Sequence, residues 1–412
     1  MIGRRPLMAA ALAVPFVARA QGSATVVVVG SGFGGGTCAR MLKAAGVNVT
    51  LVEAASEYVS CPFSNEVVAG MRELDGQRFS FGRMGGAVRM IRATVSGVDG
   101  RAKRLTMSDG QTLGYDRLVL APGVDLRFDA LPGYTEAAAE KMPHAWKAGP
   151  QTILLRDQLR AMPDGGTVVM VVPANPYRCP PGPYERASLI GWFLKNNKPK
   201  SKLIVLDAKD VFSKQKLFEQ AWKTMYPGIV ERVSLSDGGK AIAVDTGAMT
   251  VQTDFDTYKA AVANVIPAQR AGAIAVSAGV ADKSGWCPVD PVTFESRLVP
   301  DIHVIGDAAI MGAMPKSAFA ANAQAKVCAE AIVSLLAGQK PQEPLLINTC
   351  YSLAAPGYGI SVAGVYHVDK GQLTDVDGAG GTSPLDAPAE QRAKEAGYAE
   401  AWYDTITHQV FG

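Results

Sequence analysis

Two kinds of residue in this chain could do chemistry: glycines spaced to bring a phosphate against the backbone, and cysteines in loops where a sulfur can be reached. Gly30, Gly32 and Gly35 form G-x-G-x-x-G directly after the β-branched run Thr25 to Val29, and Glu53 follows 23 residues past the first glycine. Gly30 permits the tight turn, Gly32 lets backbone N–H groups approach a pyrophosphate, and Gly35 lets helix and strand close up. An acid at the end of the next strand can hold ribose hydroxyls, and it favours an unphosphorylated ribose as in FAD or NAD. A later Gly306-Asp307 follows the apolar run Ile302 to Ile305. Of the six cysteines, Cys38 and Cys328 sit in helical patterns among small apolar residues and read as core. Cys61, Cys179 and Cys350 stand in expected loops beside Pro or Asn-Thr, Cys287 follows Trp286 with no spacing argument, and every pairing stays open on these grounds. No C-x-x-C-H, C-x-x-C or H-E-x-x-H is present and the four histidines are dispersed, so neither a metal nor a c-type haem of the chain's own is expected.

The elements that must position these residues can be read from hydrophobic patterning. Thr37 to Ala45 reads as a helix and Val47 to Val52 as the next strand, followed by a loop-rich stretch through Cys61-Pro62 and a β-rich one from Phe81 to Asp109. Tyr115 to Gly123 is a strand with a sharp stop. A second α/β unit begins near Gly165, with strands Thr167 to Val172 and Lys202 to Leu206 around a helix from Tyr184 to Leu194. Ser317 to Leu336 reads as a helix and Tyr358 to Tyr366 as strand. This alternation predicts parallel sheets covered by helices. Where a nicotinamide-nucleotide domain would repeat the glycine motif, the second unit runs from Val171 through Pro173, Pro176, Cys179 and Pro180 to Pro181. Proline has no amide to give a phosphate, so NAD(P)H binding is not expected, and a flavin there needs another electron source and sink.

The chain has 412 residues, 48% apolar and 19% charged, which describes a folded protein of two or three domains. Its formal charge of +3 comes wholly from Arg4, Arg5 and Arg19 in the first 20 residues, and the neutral remainder excludes a nucleic-acid reader held by bulk charge. Arg4-Arg5, an apolar run from Pro6 to Val17 and Ala18-Arg19-Ala20 together read as an export signal of the twin-arginine type, which predicts a periplasmic protein. No later run is long and apolar enough for a membrane span.

Four longer segments carry a family likeness. Cys61-Pro62-Phe63-Ser64-Asn65-Glu66-Val67, Tyr177-Arg178-Cys179-Pro180-Pro181-Gly182-Pro183-Tyr184-Glu185-Arg186, Gly285-Trp286-Cys287-Pro288-Val289-Asp290 and Asn348-Thr349-Cys350-Tyr351-Ser352 resemble the flavoprotein subunit of flavocytochrome c sulfide dehydrogenase, a group that includes the sulfur-oxidation flavoproteins. The likeness runs from about Val26 to Trp402, and Tyr115 to Gly123 and Ile302 to Asp307 resemble the further FAD signatures of such proteins. It implies an α/β fold with two dinucleotide-binding domains. These are a Rossmann-like FAD domain in two parts (21–132 and 268–338), a second Rossmann-like domain without an NAD site (133–267), and a C-terminal α+β domain (339–412), after a signal peptide at 1–20.

The resemblance also implies roles. Cys61 would hold FAD through an 8α-thioether, although Pro62 and Phe63 depart from the family pattern as the residues beside it. Cys179 and Cys350, 171 residues apart, would form a redox disulfide over the flavin, with Glu185 nearby to manage a proton and Trp402 near the ring. Gly30, Gly32, Gly35, Glu53, Gly306, Asp307 and the Lys316 turn would hold the cofactor. The implied reaction is oxidation of hydrosulfide to sulfur or polysulfide, with electrons leaving singly to a separate c-type cytochrome subunit in a heterodimer. An auxiliary redox protein for a thiosulfate-oxidising complex is the alternative. A membrane sulfide:quinone reductase is disfavoured, because the residues around Ala401 to Asp404 show no extended amphipathic helix.

Overall fold

A computed structural model describes residues 24–412, and the expected signal peptide lies outside them. Val26, Val27 and Val28 are fully buried, as a central parallel strand covered on both faces requires. The sheet they build has five strands in the order Ile302–Val304, Arg117–Leu120, Thr25–Val29, Asn48–Glu53, Arg89–Arg92, every neighbouring pair parallel. From the Thr25–Val29 strand the chain steps through the helix Phe33–Ala44 to one side of the sheet and later fills the other. The strand order therefore reverses beside Gly30, where a crevice forms at the carboxyl ends of the strands. The helix Ala318–Leu336 packs against Phe33–Ala44 over this sheet.

The second sheet repeats the design with four parallel strands, Val230–Val233, Lys202–Asp207, Thr167–Val172 and Val262–Val265. Leu155, Leu194, Phe218 and Trp222 cover one face of it. A third, antiparallel sheet is built on the long pair Leu346–Ala355 and Tyr358–Asp369, with Gln372–Asp375 and Gly381–Thr382 alongside the second of them.

The structure departs from the sequence reading in four places. The first helix starts at Phe33, not Thr37, because Gly34, Gly35 and Gly36 already belong to its first turn. The stretch around Cys61 is not loop throughout, since it holds the short strand Glu57–Val59 and the helix Ser64–Val68. Cys350 lies within the Leu346–Ala355 strand, not in a loop.

The fourth departure is the helix Ala389–Phe411, where no extended helix was expected. Its inward side mixes Tyr403, Ile406, Val410 and Phe411 with buried Arg392 and Glu395, so apolar periodicity hides it; the signal was Pro388 ahead of a run rich in Ala, Glu, Gln and Lys. The disfavoured membrane reading thus loses its original premise. Outward, however, the helix presents Glu390, Lys394, Asp404, Thr405, His408 and Gln409 together with Tyr398 and small residues, which is no continuous apolar face. Among the described residues no helix is long and apolar enough to cross a membrane.

Candidate active site

A cavity of about 440 Å³ opens where the first sheet's carboxyl ends meet the Cys179 loop and the third sheet. At its phosphate end, Gly30 has φ +93°, and a Cβ there would lie 2.4 Å from the Ala121 carbonyl oxygen; one on Gly35 would lie 1.9 Å from the oxygen of Gly30. Both contacts are impossible, so these glycines are fixed by packing, whereas a Cβ on Gly32 would meet first the edge of the Tyr58 ring, at 3.3 Å. The helix behind them has no side-chain cap and no acid in its first turn, so its leading amides are left to an anion. Glu53 lines the cavity and steadies the turn, one carboxylate oxygen accepting from the Ser31 amide at 2.8 Å and its hydroxyl at 2.6 Å.

Gly306 and Asp307 line the same cavity. Among the described residues Asp307 Oδ1 and Trp146 Nε1 are buried polar atoms on its wall that lack a hydrogen-bond partner, an acceptor and a donor that a polar ligand would satisfy. Burial pushes the Asp307 carboxyl up, against the pull of Arg178 and Lys316. An uncapped helix start with room for a pyrophosphate, an acceptor for a ribityl hydroxyl and a flanking acid fit a flavin dinucleotide.

Cys179 and Cys350 line the other end, and both are thiols in this structure. Cys179 sits at φ +58°, an uncommon conformation for a side-chain-bearing residue, with its amide donating to the Lys316 carbonyl at 2.8 Å. Three residues on, Gly182 has room for nothing larger, because a Cβ there would come within 3.0 Å of Cys179 Sγ and 2.9 Å of the Trp146 ring. Cys350 Sγ accepts from Asn348 Nδ2 at 3.3 Å, and Asn348 Oδ1 accepts from the Ser317 hydroxyl at 2.6 Å. Ser317 in turn caps the helix Ala318–Leu336 by accepting from the Ala320 amide. A hydrogen-bonded chain thus ties Cys350 to the start of the helix Ala318–Leu336.

Glu185 stands in the first turn of the helix Gly182–Asn197, where it accepts from Asn65 Nδ2 at 2.7 Å and from the Leu353 amide at 2.8 Å. Burial nevertheless raises its pKa, which suits a group that holds and releases a proton. Burial also pushes the Cys179 thiol up, helped by Cys350 and Glu185 and opposed by Lys214 and Arg178. Cys61 lines the cavity half-buried, its sulfur 3.8 Å from the Trp146 carbonyl, to which the Arg178 guanidinium also donates. Trp402 stacks on Phe319 at the cavity wall, ring centroids 6.1 Å apart.

Lys316 is a correction to the sequence reading. It is not among the lining residues; its ammonium turns to the carbonyls of Asp307 at 2.7 Å and Ala309 at 2.8 Å and lies 3.9 Å from the centre of the Trp286 ring. Its carbonyl holds the Cys179 amide, and its charge reaches the cavity wall only as a pull on the Asp307 carboxyl. Sequence reasoning also missed Arg178, Arg186 and Lys214. Arg186 is buried with neutral acceptors only, Asn65 Oδ1 at 2.9 Å, Asn264 Oδ1 at 3.2 Å and the carbonyls of His144 and Ala145. Lys214 is buried at φ +63° ahead of the helix Gln215–Met225 and donates into the Cys350 strand. Arg178 and Arg186 lie inside the recognised Cys179 segment and could have been flagged by it; Lys214 had no signal.

The corresponding place in the second sheet is filled. Asp207, at the end of its strand, is fully buried and accepts from Lys209 at 2.7 Å, Arg232 at 2.9 Å and the Tyr184 hydroxyl at 2.8 Å. Phe212 stacks 3.5 Å from the Tyr184 ring, with the Arg232 guanidinium 4.8 Å from the Phe212 ring centre. These side chains occupy the place where a nicotinamide nucleotide would need open backbone and a free acid.

Three family models match the chain. Residues 24–151 match the family model of pyridine nucleotide-disulphide oxidoreductases. Residues 152–267 match the central part of the sulfide dehydrogenase (flavocytochrome c) flavoprotein chain, and residues 342–411 the flavin-binding part of flavocytochrome c sulphide dehydrogenase. The sulfide dehydrogenase flavoprotein chain of Chlorobaculum thiosulfatiphilum is 50% identical over 48 residues, which are 11% of this chain and 100% of that sequence. Among solved structures, the sulfide:quinone oxidoreductase of Aquifex aeolicus superposes with a TM-score of 0.74 at 16% identity, covering 94% of this chain and 92% of its own. Putidaredoxin reductase, in a covalent complex with putidaredoxin, gives 0.66 at 16% identity over 92% and 93%. The ferredoxin reductase of the CYP199A2 system of Rhodopseudomonas palustris gives 0.63 at 16% identity over 92% and 99%. At these identities the structures establish the fold, that of two-domain flavoprotein oxidoreductases.

Proposed function

Because the chain belongs to the family of flavocytochrome c sulfide dehydrogenase flavoprotein chains, we propose that it is the exported, FAD-bearing subunit of a sulfide dehydrogenase. It would oxidise hydrosulfide through Cys179 and Cys350 and work in the periplasm beside a c-type cytochrome. The observation that carries this reading is the meeting of Cys179, Cys350 and Glu185 on the wall of the cavity whose other end fits a dinucleotide. Hydrosulfide attacks the oxidised pair: one S–S bond breaks, another forms as a persulfide on one cysteine, and the displaced sulfur leaves as a thiolate carrying the electron pair. Glu185, whose protonated form burial favours, exchanges a proton with these sulfurs after the bond change. Bound FAD would supply the acceptor for the electron pair and return electrons one at a time to haem.

Cys61 is proposed as the thioether attachment point, supported by its place on the cavity wall and its incomplete burial. Acid precipitation of the holoprotein should leave a yellow pellet, and Cys61→Ser should move the colour to the supernatant; a colourless pellet from the parent protein removes the linkage. The activity itself is tested by adding sulfide to the purified subunit with its co-purifying cytochrome. Haem reduction is expected, and it should fall at least a thousandfold in Cys350→Ser. A protein that stays inert toward sulfide with FAD bound, yet raises thiosulfate oxidation by a partner complex, would move the assignment to the auxiliary role.

A further inference from the structure

The mechanism above leaves one buried charge without work. Lys214 is buried in the left-handed backbone region, and its ammonium spends its donors on three neutral acceptors: the Cys350 carbonyl at 2.9 Å, the Ser352 hydroxyl at 2.8 Å and the Ile360 carbonyl at 3.4 Å. We propose that the Lys214 ammonium is a positioning residue and fixed counter-charge for the sulfur pair, holding Cys350 by its carbonyl and stabilising the anionic sulfur formed when the Cys179–Cys350 disulfide opens. The proposal rests on the disulfide chemistry of the preceding section.

Its support is an imbalance of charge. An ammonium taken out of water is costly unless an anion compensates it. The titratable groups facing Lys214 are Cys350, Glu185, Cys179 and Glu395. Neither carboxylate is hydrogen-bonded to the ammonium: Glu185 accepts from Asn65 and the Leu353 amide, and Glu395 from the Ser383 hydroxyl, so both act on it only from a distance. Arg178 adds a second cation on the Cys179 side. With the pair oxidised the two sulfurs carry no charge. When hydrosulfide opens it, the incoming negative charge passes to the displaced sulfur while the proton stays on the terminal sulfur of the persulfide, and the ammonium gains its missing partner. Asn348 Nδ2, already donating to Cys350 Sγ, favours that charge on Cys350. Lys214 and Glu185 also grip one strand from two sides, at residues 350 and 352 and at residue 353, so Lys214 sets where the sulfur stands. Burial holds the Lys214 pKa down at about 8, so its charge is lost within reach of an ordinary alkaline titration.

The test equilibrates FAD-loaded protein with dithiothreitol buffers, traps free thiols by alkylation and counts Cys179 and Cys350 peptides by mass spectrometry. This readout is independent of sulfide turnover. Lys214→Met should move the equilibrium about tenfold toward the disulfide, equivalent to about 30 mV. Lys214→Arg should stay within twofold of the parent near neutral pH. Above pH 8 the parent should drift toward the disulfide relative to Lys214→Arg, whose guanidinium keeps its charge. A Lys214→Met protein with the parent's equilibrium, or an Arg variant with the same alkaline drift, overturns the proposal; if Lys214→Met does not fold, the Arg comparison decides alone. A parent in which Cys179 and Cys350 never join would instead sink the disulfide chemistry, a separate and recognisable failure.

Discussion

The two α/β units begin alike and end differently. Each has a buried parallel strand, Thr25–Val29 or Thr167–Val172, beside a second strand closing on an acid, Glu53 or Asp207. In the first, the turn is glycine, the helix start is bare, and Glu53 binds the turn itself, so space is left for a dinucleotide. In the second, the turn is a proline-rich loop, and Asp207 is consumed by Lys209, Arg232 and Tyr184. Nucleotide capacity is thus a property of a few residues at the strand ends, not of the frame. The loop freed from phosphate duty delivers Cys179 to the first unit's cavity.

The largest expected effect comes from closing the open turn. Gly35→Val must displace either the helix or the Gly30 carbonyl, since even a Cβ would stand 1.9 Å from that oxygen. The protein should be isolated without flavin, read as loss of its visible absorbance. In the second unit, Ala174→Val falls on an exposed loop position and should leave flavin content at the parent's level. A yellow Gly35→Val protein would break the contrast at its root.

A smaller effect is expected from emptying the filled site. Asp207→Ala leaves Lys209 and Arg232 buried without their anion, which should cost about 3–5 kcal/mol in urea unfolding. It should not create NADH affinity, because Pro173, Pro176, Pro180 and Pro181 still leave gaps in the row of amides a pyrophosphate needs. Glu53→Gln, at a partly exposed acid, should cost about 1 kcal/mol or less of stability and act on cofactor retention instead. Equal losses at the two acids would erase the distinction drawn between them.

Residues whose chemistry depends on local spacing were legible in advance. The strand–glycine–helix run needed only neighbours in sequence, and Thr167–Val172 was read to the residue because a strand buried on both faces is a continuous apolar run. The positions brought together from afar were legible only through likeness to a family: Cys179 and Cys350 carry no mutual spacing signal. Lys214 escaped because a lone lysine reads as surface, and nothing local says that a left-handed residue will turn its ammonium under a strand 136 residues away. Lys316 erred in the other direction, since a cation beside a cavity motif suggests a ligand while an indole ring and two carbonyls claim it. The helix Ala389–Phe411 was hidden by its buried Arg392 and Glu395, which break the apolar stripe that patterning looks for.

The subtlest difference between the units lies in their buried histidines. His144, beside the second unit, accepts the Trp146 amide on Nδ1 at 2.9 Å, which requires a neutral ring, and burial, with Arg186, Lys147 and Arg178 nearby, holds its pKa down at about 3. Burial likewise lowers His303 in the first sheet, to about 4; there Nδ1 lies 2.8 Å from the Thr293 carbonyl, and Glu295 and Asp301 favour charge while Arg117, 3.5 Å from Nε2, opposes it. An unfolded histidine titrates near 6.5, so below that pH the unfolded chain binds a proton that the native ring refuses. The resulting stability is complete above pH 6.5 and drains away as pH falls toward the folded pKa. For His144 the loss between pH 6.5 and 5 is about 2 kcal/mol. Urea midpoints should fall with acid. His144→Asn and His303→Asn, neither of which can titrate, should flatten the slope alike down to about pH 5, and His144→Asn should flatten it more only near and below about pH 4, where the His303 ring takes up its proton. An acid slope untouched by His144→Asn would mean that its ring takes up a proton in the folded protein as readily as in the unfolded one.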